Sequence, residues 1–151
     1  MCPDKNQKNL LYYSAGYHDI GAVKKLLSGT SVFLEPGAFL EGSIEFFPGD
    51  NQSIQGRGLI FGGKYETFYA AYPSMNDPSK WYNGIHLDPS SGATNTTFSG
   101  ILIVNPNGFC TRFLMRSNVK AEYLKCIAWR ISSDGMEAGP SSTTIKNCFL
   151  K

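Results

Sequence analysis

Short runs of β-branched and aromatic residues, separated by Gly, Pro and Asn, recur along the whole chain. Six of these runs predict β-strands, at residues 31–34, 43–47, 59–61, 98–104, 123–131 and 144–150. Apolar residues at helical spacing occur at residues 20–27, where Asp19 precedes them as an N-cap candidate. The pattern therefore predicts an all-β chain with a short helix, which we expect to close the first turn of the fold.

The strand-like runs repeat at nearly constant intervals. The segment from Val32 aligns with the segment from Ser53, 21 residues later. Two triplets continue the repeat at intervals of 25 and 22 residues: Phe98, Tyr123 and Ile145, and Ile101, Cys126 and Cys148. This period predicts a right-handed parallel β-helix, whose turns stack at the strand spacing of about 4.8 Å. Cys126 is then expected directly above Cys148, with the two thiols either free or joined in a disulfide.

Two other folds with short strands fit the pattern less well. Leucine-rich repeats require an LxxLxLxxN pattern, which is absent from the chain. An antiparallel sandwich favours strands about 8–12 residues apart and has no reason to keep the longer register. Residues 65–83 are poorly periodic, and residues 77–82 within them are predicted to form a long loop that projects from one turn, the kind of segment in which function tends to lie.

Composition and motifs limit the kinds of partner and cofactor that we expect. Charged residues make up 17% of the 151 residues, Gly occurs 16 times, and the net charge is +2. These values argue against a helical bundle, disorder and a nucleic-acid-binding patch. No apolar run reaches the roughly 18 residues that a membrane-spanning helix needs. No P-loop, dinucleotide fingerprint, CxxC or Cys/His pair occurs, so we expect no cofactor and no metal.

The amino terminus gives little information on localisation. Its first residues, MCPDKNQKNLLYY, lack the continuous apolar core of a signal peptide. The chain is therefore either intracellular or missing its true amino terminus. Asn-X-Ser/Thr triplets at Asn51 and Asn95 give weak support for secretion, because such triplets often arise by chance.

Asp134 is the carboxylate with the strongest claim to chemistry. It lies in SSDGMEAG, just past the predicted strand that ends at Ile131, so it would project into the groove along a parallel sheet. The competing interpretation is an Asp-Gly turn, and Glu137 nearby is expected to be a solvated turn residue. Aromatic residues near that groove are the candidates for contacting a sugar: Trp129, Trp81, Tyr82 and Phe109.

Three segments together resemble glycoside hydrolase family 49, the dextranase and isopullulanase family. The family's YFGPGVY-DIG motif is similar to YYSAGYHDIG. Its VYFAPGAYVKGAIEY…ATGHGVLSGE-YVY pattern is similar to VFLEPGAFLEGSIEFFPGDNQSIQGRGLIFGGKYETFYAAY. The stretch leading to its active site resembles NTTFSGILIVNPNGF and AWRISSDGMEAGPSSTTIKNCFLK. The likeness covers nearly the whole chain from Leu11, except residues 75–92 and 112–123.

In that family, and in the related polygalacturonases, three aspartates cluster on neighbouring turns of the β-helix. The first lies in an (S/T)-D-G motif similar to the one around Asp134. An Asp-Asp pair follows about one turn later, and its first member is the general acid. The resemblance implies that Asp134 helps to activate water in an inverting hydrolase and that the acid lies beyond Lys151.

The resemblance also implies a domain organisation. Residues 1–151 would form the amino-terminal part of a catalytic β-helix, ending before the Asp-Asp pair and lacking the family's preceding β-sandwich. This stretch alone would be inactive. The parent protein is expected to be a secreted, monomeric endo-hydrolase that cleaves the α-1,6 linkages of an α-glucan such as dextran.

Two other functions remain open. A polygalacturonase-like hydrolase of the sister family would need a basic groove for its polyanionic substrate, and a net charge of +2 offers little support for one. A non-catalytic β-helical segment that binds carbohydrate would leave Asp134 as a turn residue.

Overall fold

The computed structural model describes residues 2–46, 49–64, 85–87, 94–106, 108–113, 117–129, 134–139 and 142–151. The regular elements within these ranges are β-strands. In chain order they are β1 (Leu10–Tyr13), β2 (Gly16–Leu26), β3 (Ser31–Leu34), β4 (Ala38–Phe46), β5 (Ser53–Gly56), β6 (Leu59–Phe61), β7 (Ile85–Leu87), β8 (Thr94–Ser99), β9 (Leu102–Val104), β10 (Thr111–Phe113), β11 (Ser117–Glu122), β12 (Lys125–Ile127), β13 (Met136–Ala138), β14 (Thr143–Lys146) and β15 (Phe149–Leu150).

The strands form two parallel sheets. The first sheet has six strands in the order β1-β3-β5-β8-β11-β14, and the second has nine, in the order β13-β10-β7-β4-β6-β9-β12-β15 with β2 beside β4. The long strand β4 pairs with β6 through its first half and with β7 through its second half. The second sheet therefore has a first arm (β6, β9, β12, β15) and a second arm (β7, β10, β13). Each turn of the chain visits the first sheet, the first arm and then the second arm, which confirms the predicted parallel β-solenoid.

The core consists of inward side chains that stack from turn to turn. One row on the first sheet contains Val32, Ile54, Phe98 and Ala121. A second row, on the first arm, contains Leu40, Ile60, Ile103 and Cys126. All eight are buried. Since burying a Leu, Ile or Phe side chain contributes about 1.5–3 kcal/mol, these rows contribute strongly to the stability of the solenoid.

The predicted period is confirmed, but the register within it is wrong. Val32 pairs with Ile54, 22 residues later, and not with Ser53. Cys126 pairs with Ile103 on one side and Leu150 on the other, so it does not lie directly above Cys148. The thiols of both cysteines are free.

The helix predicted at residues 20–27 is also wrong, because most of this segment belongs to β2. The strand pairs with β4 in parallel, with bulges between Asp19 and Gly21 and between Gly21 and Lys24. Bulges insert unpaired residues and break the two-residue alternation of a strand, so no strand pattern is visible in the sequence. The Asp19 carboxylate accepts a hydrogen bond of 3.0 Å from the backbone N–H of Gly21. Asp19, which the sequence pattern predicts as a helix N-cap, therefore stabilises a β-bulge.

Candidate functional site

The chain passes from the first arm to the second arm through a segment whose length changes from turn to turn. The crossing lies within β4 on one turn, but it takes residues 62–84, 105–110 and 128–135 on later turns. We call these three stretches the inter-arm segments. Of the residues predicted for the site, Phe109, Trp129 and Asp134 lie in the described parts of these segments. Trp81, Tyr82 and the loop predicted at residues 77–82 lie outside the described residues.

Asp134 is held in place by its backbone. Its carbonyl oxygen accepts a hydrogen bond of 2.8 Å from the N–H of Cys110, and the carbonyl of Gly135 accepts one of 3.1 Å from Thr111. A Cβ atom at Gly135 would lie 3.2 Å from the side chain of Leu150, so glycine lets this segment pack closely on the next turn. Asp134 thus precedes β13 on a fixed backbone, and its side chain is exposed to solvent.

The sequence pattern predicts Asp134 after a strand reaching Ile131, whereas β12 ends at Ile127. Asp134 instead lies just before the next strand, β13. The Asp134 side chain is nevertheless exposed at this position. The backbone partner of Asp134, next to Phe109, could not be read from the sequence, since it depends on the register between turns.

Phe109 lies beside a charged pair on the second arm. The guanidinium of Arg112 lies 5.5 Å from the centre of the Phe109 ring, within the range of a cation–π interaction. Arg112 Nε also lies 2.7 Å from Glu137 Oε2, and the two residues are register partners on β10 and β13. Glu137 is therefore an ion-paired strand residue, and its prediction as a solvated turn residue is wrong. Sequence reasoning missed Arg112, whose partner lies 25 positions later.

Trp129 is a surface residue. Its side chain is 68% exposed, immediately after β12 and in the same inter-arm segment as Asp134. The preceding residue is fixed, because the N–H of Ala128 donates a hydrogen bond of 2.8 Å to the carbonyl of Lys151. An indole this exposed contributes little to the core, so its large apolar face is free to contact a ligand.

Two cysteines lie beneath the site and are unsuited to nucleophilic chemistry. Cys110 and Cys126 are both buried. A hydrogen bond with Cys110, together with burial, raises the pKa of the Cys126 thiol. Since the thiolate is the nucleophilic form, we assign these side chains to packing.

Asn105, which begins the segment leading to Phe109, was also missed. It is only 5% exposed and has a φ of 47°, and its N–H donates a hydrogen bond of 2.7 Å to the carbonyl of Ile127. Its Oδ1 has no hydrogen-bond partner among the described residues. The Asn-Pro dipeptide at this position was the available signal for a turn.

The described parts of the chain contain neither a metal-ligand cluster nor a membrane-spanning helix. There, no three His, Cys, Asp or Glu side chains come together as metal ligands. The same residues include no helix that is long and apolar enough to cross a membrane.

Comparison with known proteins supports the architecture. No family model and no curated protein matches the chain. Among solved structures, the chain is similar to a Parabacteroides merdae protein provisionally assigned as a glycosyl hydrolase, with a TM-score of 0.67 and 15% sequence identity. The match covers 93% of this chain and 82% of that chain. At this identity the likeness shows a shared β-solenoid fold, and the resemblance to family 49 stays a prediction.

The site as described offers one exposed carboxylate, one exposed indole and a phenylalanine beside an ion pair. A carboxylate of this kind can accept a proton from water. Inversion at a sugar also requires a second carboxyl group about 6.5–9.5 Å away, to protonate the leaving oxygen. Glu137 is a poor candidate for that acid, because its carboxylate is already ion-paired with Arg112.

Proposed function

We propose that the protein is an inverting glycoside hydrolase acting on a neutral α-glucan such as dextran. The observation that carries this proposal is the position of Asp134. Its exposed carboxylate shares an inter-arm segment with the exposed Trp129 and lies one turn from Phe109. The resemblance of SSDG to a family 49 motif supports the assignment, as does the fold shared with the protein provisionally assigned as a glycosyl hydrolase.

In this mechanism the Asp134 carboxylate takes a proton from a water molecule as the water oxygen attacks the anomeric carbon. The glycosidic bond breaks on the opposite face of the sugar, and a carboxylic acid donates its proton to the leaving oxygen. The family pattern would supply that acid beyond Lys151. Trp129 and Phe109, with Trp81 and Tyr82 from the preceding inter-arm segment, would contact the apolar faces of the sugar rings.

The charges near the site favour a neutral substrate over a polyanion. The cation next to Phe109 is Arg112, and its ion pair with Glu137 already neutralises it. A polygalacturonate chain would have to displace Glu137 before it could pair with this guanidinium. An α-glucan has no such requirement. We further propose that the enzyme acts as a secreted monomer, since its polymeric substrate would be found outside the cell.

The test is product analysis with the full-length protein on dextran, pullulan and polygalacturonate. We expect dextran to be cut internally, and NMR of the first products should show the β-anomer, because inversion of an α-linkage gives a β-product. Initial release of the α-anomer would contradict inversion. Cleavage of polygalacturonate alone would contradict the choice of substrate.

A non-catalytic carbohydrate-binding role is the second candidate. It is favoured by the ion pair with Arg112 that already engages Glu137, the carboxylate three residues after Asp134. A full-length protein that is retarded by dextran in affinity electrophoresis, yet releases no reducing ends from it, would have this second role.

A further inference from the structure

The amino-terminal residues 2–9 lie over the outer surface of the first sheet. Lys5 Nζ is 3.3 Å from the Glu35 carboxylate and 4.7 Å from the centre of the Tyr12 ring. The Sγ atom of Cys2 lies 3.1 Å from the hydroxyl oxygen of Tyr12, which in turn donates a hydrogen bond to Glu35. These contacts hold the segment against β1 and β3, and a recess of about 270 Å³ lies between the segment and the sheet.

The lining of the recess combines polar and apolar residues, and none of the described ones is charged. The hydroxyl of Ser53 donates a hydrogen bond of 3.1 Å to that of Ser31, and both line the recess with the carboxamides of Gln7 and Gln55. None of the described residues that line it carries a charged side chain. Such a lining suits a ligand with several neutral hydroxyl groups, and it offers no counter-ion to a phosphate or a carboxylate.

Phe33 supplies an aromatic ring to the recess, beside the apolar residues Pro3, Leu10 and Val32. Its ring is stacked on that of Tyr12, with the centroids 5.4 Å apart and an interplanar angle of 29°. This stacking fixes the ring while leaving it part of the recess lining. A fixed aromatic ring beside hydroxyl and amide groups is the combination that recognises a sugar, whose C–H face packs on the ring while its hydroxyls form hydrogen bonds.

We propose that this recess binds a neutral hexose unit of a polysaccharide and is a site separate from that of Asp134. The recess is formed on β1, β3 and β5 of the first sheet, whereas Asp134 lies between β12 and β13 of the second. A recess of about 270 Å³ is at the lower limit of ordinary ligand pockets, so it accommodates a single sugar unit. The choice of a polysaccharide rests on the proposed function, but the site itself is tested by binding.

The experiment is calorimetric titration of the full-length protein with neutral dextran oligosaccharides, in wild type and in Asp134→Asn so that the ligand is not consumed. Gln55→Ala and Ser53→Ala each remove one polar partner and should weaken binding about 2–10-fold, the effect of one hydrogen bond. Ser99→Ala is the matched control, because Ser99 lies in register with Gln55 on the next strand, outside the recess lining. It should leave the affinity unchanged.

The outcomes separate this site from the catalytic proposal. Binding that falls with Gln55→Ala and Ser53→Ala but not with Ser99→Ala supports the recess, even if the protein hydrolyses no glucan and the proposed function fails. Binding that is unchanged by Gln55→Ala and Ser53→Ala would overturn the proposal. It would also be overturned by tighter binding of oligogalacturonate than of neutral oligosaccharide, or by no binding at millimolar concentration.

Discussion

The side-chain amide of Asn118 donates a hydrogen bond of 2.5 Å to Oδ1 of Asn95, its neighbour on the preceding turn. Asn95 in turn donates one of 3.2 Å to Asn51. All three residues adopt left-handed backbone conformations, with φ between 53° and 57°. Asn is one of the few side chains that tolerates this region. The ladder therefore fixes the same corner on three successive turns, where the chain enters the first sheet.

Two substitutions of Asn95 should separate the contribution of its side-chain hydrogen bonds from that of its left-handed backbone conformation. Asn95→Gly keeps the left-handed backbone but removes both side-chain hydrogen bonds, which should cost about 1–2 kcal/mol in the free energy of unfolding. Asn95→Ala adds the strain of a Cβ atom at positive φ, about 1–2 kcal/mol more. Urea denaturation of both variants measures the difference. Equal stabilities would show that the backbone conformation contributes nothing.

The same ladder gives a structural reason for the two Asn-X-Ser/Thr triplets. Both of their asparagines, Asn51 and Asn95, are members of the ladder. The ladder therefore gives both asparagines a structural role, whether or not the triplets are glycosylated. The expectation of an extracellular protein stays a prediction.

Gly100 marks a second corner, where backbones of adjacent turns approach closely. Its φ is 79°, and a Cβ atom there would lie 2.3 Å from the carbonyl oxygen of Gly56. Gly29 has a similar φ of 72°, but a Cβ atom there would have open space within 4 Å, so it is the matched control. Gly29→Ala should cost about 1–2 kcal/mol from backbone strain. Gly100→Ala should cost about 1–3 kcal/mol more because of the steric clash, and similar unfolding free energies for the two would contradict it.

The sequence predicted the solenoid because strand-forming runs return once per turn, but it could not predict which residues stack. Val32 and Ile54 are 22 positions apart on the first sheet, whereas Phe39 and Leu59 are 20 apart on the first arm. An alignment at one fixed interval therefore fails at the corners. Matching Cys126 to Cys148 followed residue identity, while the structure follows hydrogen bonding between strands.

The candidate site was also predicted only in part from the sequence. The sequence pattern placed Asp134 beyond a strand that includes Trp129, whereas β12 ends at Ile127 and both residues lie between β12 and β13. The ion pair of Arg112 and Glu137 was not predictable, since it requires the register of β10 on β13.

The amino-terminal segment should loosen in acid. A hydrogen bond from the Tyr12 hydroxyl, followed by one from the backbone N–H of Ala15, lowers the pKa of Glu35 below its ordinary value of 4.5. A depressed carboxyl pKa contributes stability that is present above pH 4.5 and is lost as the pH falls through the lower folded value. The difference in Tm between wild type and Glu35→Gln should therefore shrink from pH 7 to pH 3.

Tyr12→Phe tests the cause of that shift. It removes the first hydrogen bond to Glu35 and should move the carboxyl pKa back towards the ordinary value, as measured by ¹³C NMR titration. An unchanged titration curve would show that Tyr12 has no part in the shift.

Trp129→Ala should weaken substrate binding without unfolding the protein. The indole is 68% exposed, so its loss should leave the Tm within experimental error. One lost aromatic contact is equivalent to about a 3–10-fold increase in KM. Trp129→Phe, which keeps an aromatic face, should recover most of the affinity for dextran. A large fall in Tm with Trp129→Ala would instead indicate a packing role.

Asp134→Asn is the decisive substitution for catalysis. The amide is nearly isosteric with the carboxylate and the side chain is exposed, so the Tm should not change. In the full-length enzyme, kcat on dextran should fall by about 10²–10⁴, the usual contribution of a general base. KM should change little, because the carboxylate acts on the attacking water and not on the bound sugar. Glu137→Gln is unsuitable as a silent control, since it would break the ion pair with Arg112.

Asp4→Asn is the better control, because it makes the same chemical change at an exposed aspartate far along the chain. Asp4 accepts a hydrogen bond of 3.0 Å from the N–H of Asn6, and the carbonyl oxygen of an asparagine can accept the same bond. This variant should therefore retain the wild-type kcat. If both substitutions lower kcat equally, or if Asp134→Asn lowers the Tm enough to account for the lost activity, then Asp134 is a turn residue. The chain would then be better described as a carbohydrate-binding solenoid.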